Sequence, residues 1–201
     1  MRIIAGSAKG RNIASVASST RPTSDRAREA LFSTLASEFG EFEGLNVLDL
    51  YAGTGAIALE SLSRGAALVH AVEKDEQAQK SIASNYEAIK SAQCPGTFHL
   101  YGMSVHRFLQ DPPIAPYHFI YVDPPYEIED LDVIETLIQL QVGGFLHPQA
   151  LIAVERNSRV KEISWPDGYI SVREKNYGQA SISMAHQRIL SLRMDNPDNR
   201  C

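Results

Sequence analysis

A mostly parallel seven-stranded α/β sheet with helices on both faces is the fold this sequence predicts, and three observations lead to it. Apolar runs at 45–50, 67–72, 97–101, 117–122 and 149–154 alternate with amphipathic stretches near 55–64, 75–91, 103–110 and 130–141. Short strands interleaved with helices make βαβ units, which assemble a parallel sheet covered on both sides. After Pro166 the rhythm changes to two β-rich runs, 169–174 and 180–192, with Tyr177-Gly178-Gln179 as the turn. These add an antiparallel pair at the sheet edge. Finally, 201 residues at 44% hydrophobic and 21% charged suffice for one α/β core and leave little room for a second.

The elements before this alternation are of another kind. Residues 2–5 and 11–16 read as two short strands around the turn chemistry of Gly6-Ser7-Ala8-Lys9-Gly10. A helix follows, with Thr23 or Ser24 as N-cap, Ala27, Ala30, Leu31, Leu35 and Phe39 at helical spacing, and Gly40 or Gly44 as the stop. The chain divides accordingly into a basic hairpin and helix over 1–40, a main domain over 41–192 and a loose polar tail over 193–201. There is no internal repeat, and the one low-complexity hint is the serine-rich stretch 14–19.

Composition excludes several classes. No apolar run approaches the roughly 20 residues of a membrane span, and the first residues lack the apolar stretch of a secretory signal. Cys94 and Cys201 lie far apart, so neither a disulfide framework nor a thiolate metal site is expected, and a reducing cytoplasm is the default location. The six histidines show no ligand spacing, and no metal is expected. A fold of this size can work as a monomer. The formal charge of −5 conceals an asymmetry: residues 1–28 carry Arg2, Lys9, Arg11, Arg21, Arg26 and Arg28 against Asp25 alone, a net of +5 that leaves −10 for the rest. Phosphate binding needs a local positive surface, not a positive whole. On charge alone, a nucleic-acid surface and a solvated basic arm without a partner are equally good readings.

The most informative segment is Val47-Leu48-Asp49-Leu50-Tyr51-Ala52-Gly53-Thr54-Gly55-Ala56, where the first parallel strand hands over to its helix. Ligands of open α/β sheets bind outside the carboxyl ends of the strands. Gly53 and Gly55 allow the tight turn and a close backbone approach. Asp49 would repel a dinucleotide pyrophosphate but suits a cofactor carrying an ammonium and a sulfonium. Glu73 ends the next strand, close to the ~20-residue offset at which an acid binds ribose hydroxyls. Together these features favour S-adenosylmethionine over a nicotinamide dinucleotide. The third strand ends in Tyr101-Gly102-Met103-Ser104 without the acid or asparagine that often reads adenine, which leaves that task to backbone groups or to Ser104.

The second signal is Tyr121-Val122-Asp123-Pro124-Pro125-Tyr126, directly after the fourth strand. An aromatic amine delocalises its lone pair into the ring and is a poor nucleophile. The Asp123 carboxylate and the Pro124 carbonyl are suited to accept its N–H groups and draw the nitrogen towards sp³ geometry, which stabilises the transition state. Tyr126 offers a flat face for stacking an extruded base. Asp111-Pro112-Pro113 repeats part of this pattern but precedes the fourth strand and lacks the aromatic residue, so it reads as a connecting loop.

Over nearly its full length the chain resembles the RsmD-type family of 16S rRNA guanine-N2 methyltransferases. The resemblance rests on the opening Arg2-Ile3-Ile4-Ala5-Gly6 with Lys9-Gly10-Arg11, on the two motifs above, and on Leu59-Glu60-Ser61-Leu62-Ser63-Arg64-Gly65-Ala66. Its most specific part is Arg21-Pro22-Thr23-Ser24-Asp25-Arg26-Ala27-Arg28-Glu29-Ala30-Leu31-Phe32. The resemblance implies a Rossmann-like class I fold and methylation of one guanine N2 in the small ribosomal subunit or its assembly intermediate. It implies that Asp49, Gly53 and Gly55 contact the methionine part of S-adenosylmethionine and Glu73 the ribose. Asp123 and Pro124 would hold the amino group, and Tyr126 the base. Thr23 and Arg26 would reach the cofactor carboxylate, although Arg26 is equally suited to an RNA phosphate or a helix cap. Arg2, Lys9, Arg11 and Arg21 would form the RNA surface. The competing readings are an amino-methyltransferase acting on a protein glutamine or a DNA base, and a non-catalytic RNA-binding assembly protein.

Overall fold

The computed structural model describes residues 1–14, 25–125, 127–158 and 163–188. After α1 (Asp25–Phe39) come β1 (Asn46–Leu50), α2 (Ala56–Ser63), β2 (Leu68–Val72), α3 (Glu76–Lys90), β3 (Thr97–Tyr101), α4 (Val105–Phe108), β4 (Tyr117–Val122), α5 (Asp130–Val142) and β5 (Leu146–Asn157). β6 (Tyr169–Tyr177) and β7 (Ala180–Gln187) close the chain as a hairpin. The strands form one seven-stranded sheet in the order β3-β2-β1-β4-β5-β7-β6. The first five strands pair in parallel, and β7 joins both β5 and β6 antiparallel. The predicted α/β fold is therefore present, with the returning strand β7, not β6, docked on β5.

Periodicity explains which helix lies where. Along β1, Val47 faces the apolar layer that contains Leu31, Phe32 and Leu35 of α1, Leu59 of α2 and Ile82 of α3. Leu48 and Leu50 point the other way, onto Val105 and Phe108 of α4 and Val133, Leu137 and Leu140 of α5. Both faces of the central strands are thus buried, which is why they read as continuous apolar runs. α3 starts where the Asp75 carboxylate accepts the Ala78 N–H at 2.8 Å, a cap worth about 1 kcal/mol, and buries Ala78, Ile82, Asn85 and Ile89 at helical stride. α1 stops at Gly40, which takes a φ of 72° while its N–H reaches the Ala36 carbonyl at 3.0 Å. Gly44 plays no part in that stop, and the candidate caps Thr23 and Ser24 lie outside the described residues.

The N-terminal arm departs from expectation. Among its described residues there are no two strands, only an isolated antiparallel bridge between Arg2 and Asn12 with flanking bonds such as Ile3 N–H to the Arg11 carbonyl at 2.9 Å. Residues 15 and 16 lie outside the described chain. The reason is where the arm's backbone donors go. Ile4 and Ala5 donate to the two carboxylate oxygens of Glu60 at 2.7 and 3.0 Å, and Ser7 and Ala8 donate to the carbonyl and hydroxyl of Ser63 at 2.8 and 3.0 Å. The arm is laid on α2 and not built into a ladder. Gly6 makes this approach possible: at φ 81°, a Cβ there would lie 1.8 Å from the Ser63 carbonyl oxygen.

Two irregularities mark the other half of the sheet. β5 begins earlier than the apolar run suggests, and its register with β4 jumps from Tyr117↔Leu146 to Phe119↔Leu151. Pro148, which has no N–H to give a ladder, sits in the bulged stretch. The 111–113 Asp-Pro-Pro segment is the α4–β4 connection, as its position predicts, with Asp111 paired to Arg107 at 3.0 Å.

Candidate functional site

From β1 the chain runs outward to β2 and β3, then returns to place β4 on the other side of β1. The carboxyl ends of β1 and β4 therefore flank the point where the strand order reverses, which is where open α/β sheets bind ligands. Both sequence motifs end there. The Asp123 N–H is anchored on the Leu50 carbonyl at 3.4 Å, so the Asp-Pro-Pro segment starts beside the glycine turn.

The turn after β1 is held by the end of β2 and by α3. Ala52 N–H donates to the Val72 carbonyl at 3.0 Å, and Gly55 N–H closes back on Ala52 at 2.7 Å. Gly53 and Gly55 adopt φ values of 55° and 74°, and Tyr51, between the strand and the turn, is forced to 60°. A side chain at Gly55 would meet Ile82 at 3.3 Å, whereas the Cβ position of Gly53 has no neighbour closer than 4.0 Å. Gly53 leaves an open face for a ligand, and Gly55 packs the turn on α3. Glu73 accepts the Gly53 N–H at 2.9 Å with one oxygen and the Asp75 N–H at 2.8 Å with the other.

Asp49 is buried at 2% exposure and accepts the Ala58 N–H at 3.0 Å near the start of α2. Burial pushes its carboxyl up to about 7 against the pull of that bond, and the nearby Glu73 adds to the rise. A buried carboxylate held this close to its neutral form is a receptor for positive charge. The acidic set of Asp49 and Glu73 beside the bare Gly53 backbone fits a group with an ammonium or a sulfonium.

A cavity of about 260 Å³ continues this site between α4 and α5, lined by Tyr51, Lys74, Met103, Ser104, Ile128 and Thr136 among others. It is mostly apolar and of a size for a planar ring. Ser104 reaches it, but its hydroxyl already caps α4 by accepting the Arg107 N–H at 3.2 Å.

On the far side of the glycine turn, Asp123 is half-buried, and Pro124 behind it is buried. Burial raises the Asp123 carboxyl well above the usual range, and Glu155 and Asp49 add to the rise while Arg156 opposes it. Arg156 fixes the loop after the motif by donating to the Ile128 carbonyl at 3.0 Å and the Asp130 carboxylate at 2.7 Å. Tyr126 lies outside the described residues, as do Thr23 and Arg21.

Of the predicted phosphate-binding residues, Arg2, Lys9 and Arg11 are exposed on the arm, and Arg11 also donates to the Ala88 carbonyl at 3.3 Å. Arg26 is exposed in the first turn of α1. Its neighbour Arg28 is the one turned inward, fully buried and donating to the Arg2 carbonyl at 2.5 Å and to Asp25 at 3.1 Å. Asn85, which sequence reasoning passed over, joins the arm to the cofactor turn: it accepts the Ala14 N–H at 2.7 Å and donates to the Thr54 carbonyl at 3.0 Å. A polar residue on the inner face of a helix was the available signal. Glu155 and Arg156 were also missed, and their signal was a charged pair at the carboxyl end of a parallel strand. Among the described residues no group of side chains could hold a metal ion, and no helix is long and apolar enough to cross a membrane. Buried His70, bonded to the Tyr117 hydroxyl at 2.6 Å, is pushed down to about 4 by desolvation and by His99.

A family model described as "Conserved hypothetical protein 95" matches residues 1–186. The Escherichia coli K12 protein named "Ribosomal RNA small subunit methyltransferase D" is 33% identical over 185 residues, 92% of this chain and 88% of that one. The chain belongs to this family. A Haemophilus influenzae protein of the same name is 32% identical over 92% of each chain. The solved structure called "Putative methyltransferase yhhF from Escherichia coli" superposes with a TM-score of 0.80 at 30% identity, covering 93% of this chain and 97% of that one. The resemblance read from the arm, the glycine turn and the Asp-Pro-Pro motif is thus a family relationship, and the methyltransferase D family shares the fold described here.

Proposed function

We propose that this protein is an S-adenosylmethionine-dependent methyltransferase that methylates the exocyclic N2 of a guanine in 16S rRNA of the small ribosomal subunit or its assembly intermediate. The observation that carries this reading is the Asp123–Leu50 anchor, which sets an acceptor carboxylate beside the Asp49–Gly53–Glu73 receptor at the reversal of strand order. The names of the relatives supply the rRNA class of substrate.

When bound, the cofactor supplies an electrophilic methyl group on a sulfonium. Asp49 compensates its positive charge through the buried field, and Glu73 takes the ribose hydroxyls. Gly53 lets the backbone close on it without a side chain. The cavity beside Met103 and Ser104 takes the adenine by shape and backbone contacts. Asp123 and the Pro124 carbonyl accept the two N–H bonds of the target amine and orient its lone pair towards the methyl carbon. These two acceptors would hold the amine in line with the methyl group that the bound cofactor would supply, and no enzyme nucleophile is needed. The exposed cations Arg2, Lys9 and Arg11, on an arm tied to the glycine turn through Asn85, give the RNA its electrostatic contact.

The test is Asp123→Ala. It is expected to abolish methyl transfer to small subunits while leaving cofactor affinity within about threefold, less than 1 kcal/mol. Unchanged turnover would contradict the role given to the motif.

A further inference from the structure

Asp123 does not stand alone at the end of β4. The parallel register Tyr121↔Ala153 and Val122↔Val154, carried one residue further, brings Asp123 beside Glu155 on β5. Glu155 is buried at 8% exposure, and the Tyr121 phenol donates to its carboxylate. On the other side, Asp49 of β1 is in register with Tyr121. Asp49, Tyr121, Asp123 and Glu155 therefore share one face of the sheet. The antiparallel partner of Glu155 on β7 is Ile182, which brings no charge. Arg156 acts on Asp123 with the opposite charge, and one of its guanidinium nitrogens is held by Asp130 and the Ile128 carbonyl.

Methylation of a neutral amine leaves the nitrogen with a proton it must lose. An ordinary aspartate, near 4 when unperturbed, holds that proton poorly at neutral pH. We propose that Glu155, held by Tyr121, is a positioning residue that makes Asp123 the proton acceptor of the methyl transfer, in addition to its part as an N–H acceptor. This rests on the function proposed above. The amino nitrogen forms the new bond to carbon, and the electron pair of the methyl–sulfur bond stays on sulfur. The displaced N–H proton passes to the Asp123 carboxylate. Glu155 raises the proton affinity of Asp123 because a buried and a half-buried carboxylate in register cannot both remain ionised without cost. Tyr121 keeps the negative charge on Glu155 by donating to it, so the proton settles on Asp123, the member of the pair nearest the substrate. The raised position of Asp123, caused by burial, then Glu155, then Asp49, agrees with this arrangement.

The experiment uses the full chain labelled with ¹³C at aspartate carboxyls, with the Asp123 signal identified by its loss in Asp123→Asn. Its titration is compared in wild type, Glu155→Gln and Tyr121→Phe, alongside the pH profile of single-turnover methyl transfer to small subunits. In Glu155→Gln the Asp123 midpoint and the acid limb of the rate should both move down by about one pH unit or more. The rate on the plateau should fall about tenfold with little change in half-saturation. Tyr121→Phe, which removes only a hydroxyl, should move the midpoint in the same direction and keeps the test open if the glutamine variant does not fold. An Asp123 midpoint unmoved in the folded variants overturns the proposal while leaving the methyltransferase function standing. A wild type that transfers no methyl group overturns both.

Discussion

Glu73 receives the amide of Gly53 at 2.9 Å, across 20 residues of chain, and so links the end of β2 to the turn after β1. The same carboxylate holds the amide of Asp75, so one side chain ties the turn to the residue that caps α3. Glu73→Gln leaves a single good acceptor oxygen for two backbone donors and removes the charge offered to ribose hydroxyls. Cofactor affinity measured by calorimetry should fall about tenfold or more, roughly 1.4 kcal/mol. Unchanged affinity would remove Glu73 from the site.

The Asp49 carboxyl, raised by burial to about 7, makes a pH prediction with a definite sign. Its folded value lies above its unfolded one, so the native state binds the extra proton between them. That contribution to stability is complete below the ordinary carboxylate range, about 4, and is lost as pH rises through about 7. A cation bound beside Asp49 favours the ionised form. S-adenosylmethionine should therefore bind more tightly as pH climbs through neutrality and release protons on binding, seen as a dependence of binding heat on buffer ionisation enthalpy. Asp49→Asn should remove that dependence, weaken binding and raise the melting temperature of the cofactor-free protein at alkaline pH.

Gly6 and Gly10 both have positive φ, yet the structure separates them. A Cβ at Gly6 collides with the Ser63 carbonyl, whereas nothing lies within 4 Å of one at Gly10. Gly6→Ala should cost on the order of 3 kcal/mol and lift the arm from α2, while Gly10→Ala should cost only about 1 kcal/mol of backbone strain. Equal melting temperatures for the two variants would contradict the docking of the arm.

Neutralising Arg2, Lys9 and Arg11 together should weaken binding to the small subunit and flatten its salt dependence. The slope of log affinity against log salt should lose about 0.7 to 0.9 for each phosphate contact removed. Arg11, already bonded to the Ala88 carbonyl, should contribute less than the other two.

Much of this was legible in the sequence because it is local. Five apolar runs predicted five parallel strands to within a few residues, and for the central β1, β2 and β4 burial on both faces leaves little room for polar residues. The glycine turn and the Asp-Pro-Pro motif were readable because their chemistry sits in consecutive residues. What escaped was carried by contacts between distant segments. Residues 2–5 and 11–16 have strand-like composition, but Glu60 and Ser63, more than 50 positions away, take the backbone donors a ladder would need. Asn85 lies on the inner face of α3 and Glu155 in a charged pair at the end of β5, and only the packing of neighbouring elements shows that they meet Thr54 and Tyr121. Arg26 and Arg28 have equal standing in the sequence, and helical phase alone decides that Arg28 turns inward.

The central claim is tested most directly by incubating the protein with methyl-labelled S-adenosylmethionine and small ribosomal subunits that lack the modification. Naked rRNA, duplex DNA and total protein serve as parallel acceptors, and the labelled nucleosides are identified after digestion. The account predicts label as N2-methylguanine from the subunits, absent with Asp123→Ala. Label confined to protein or DNA, or no label at all, would contradict it.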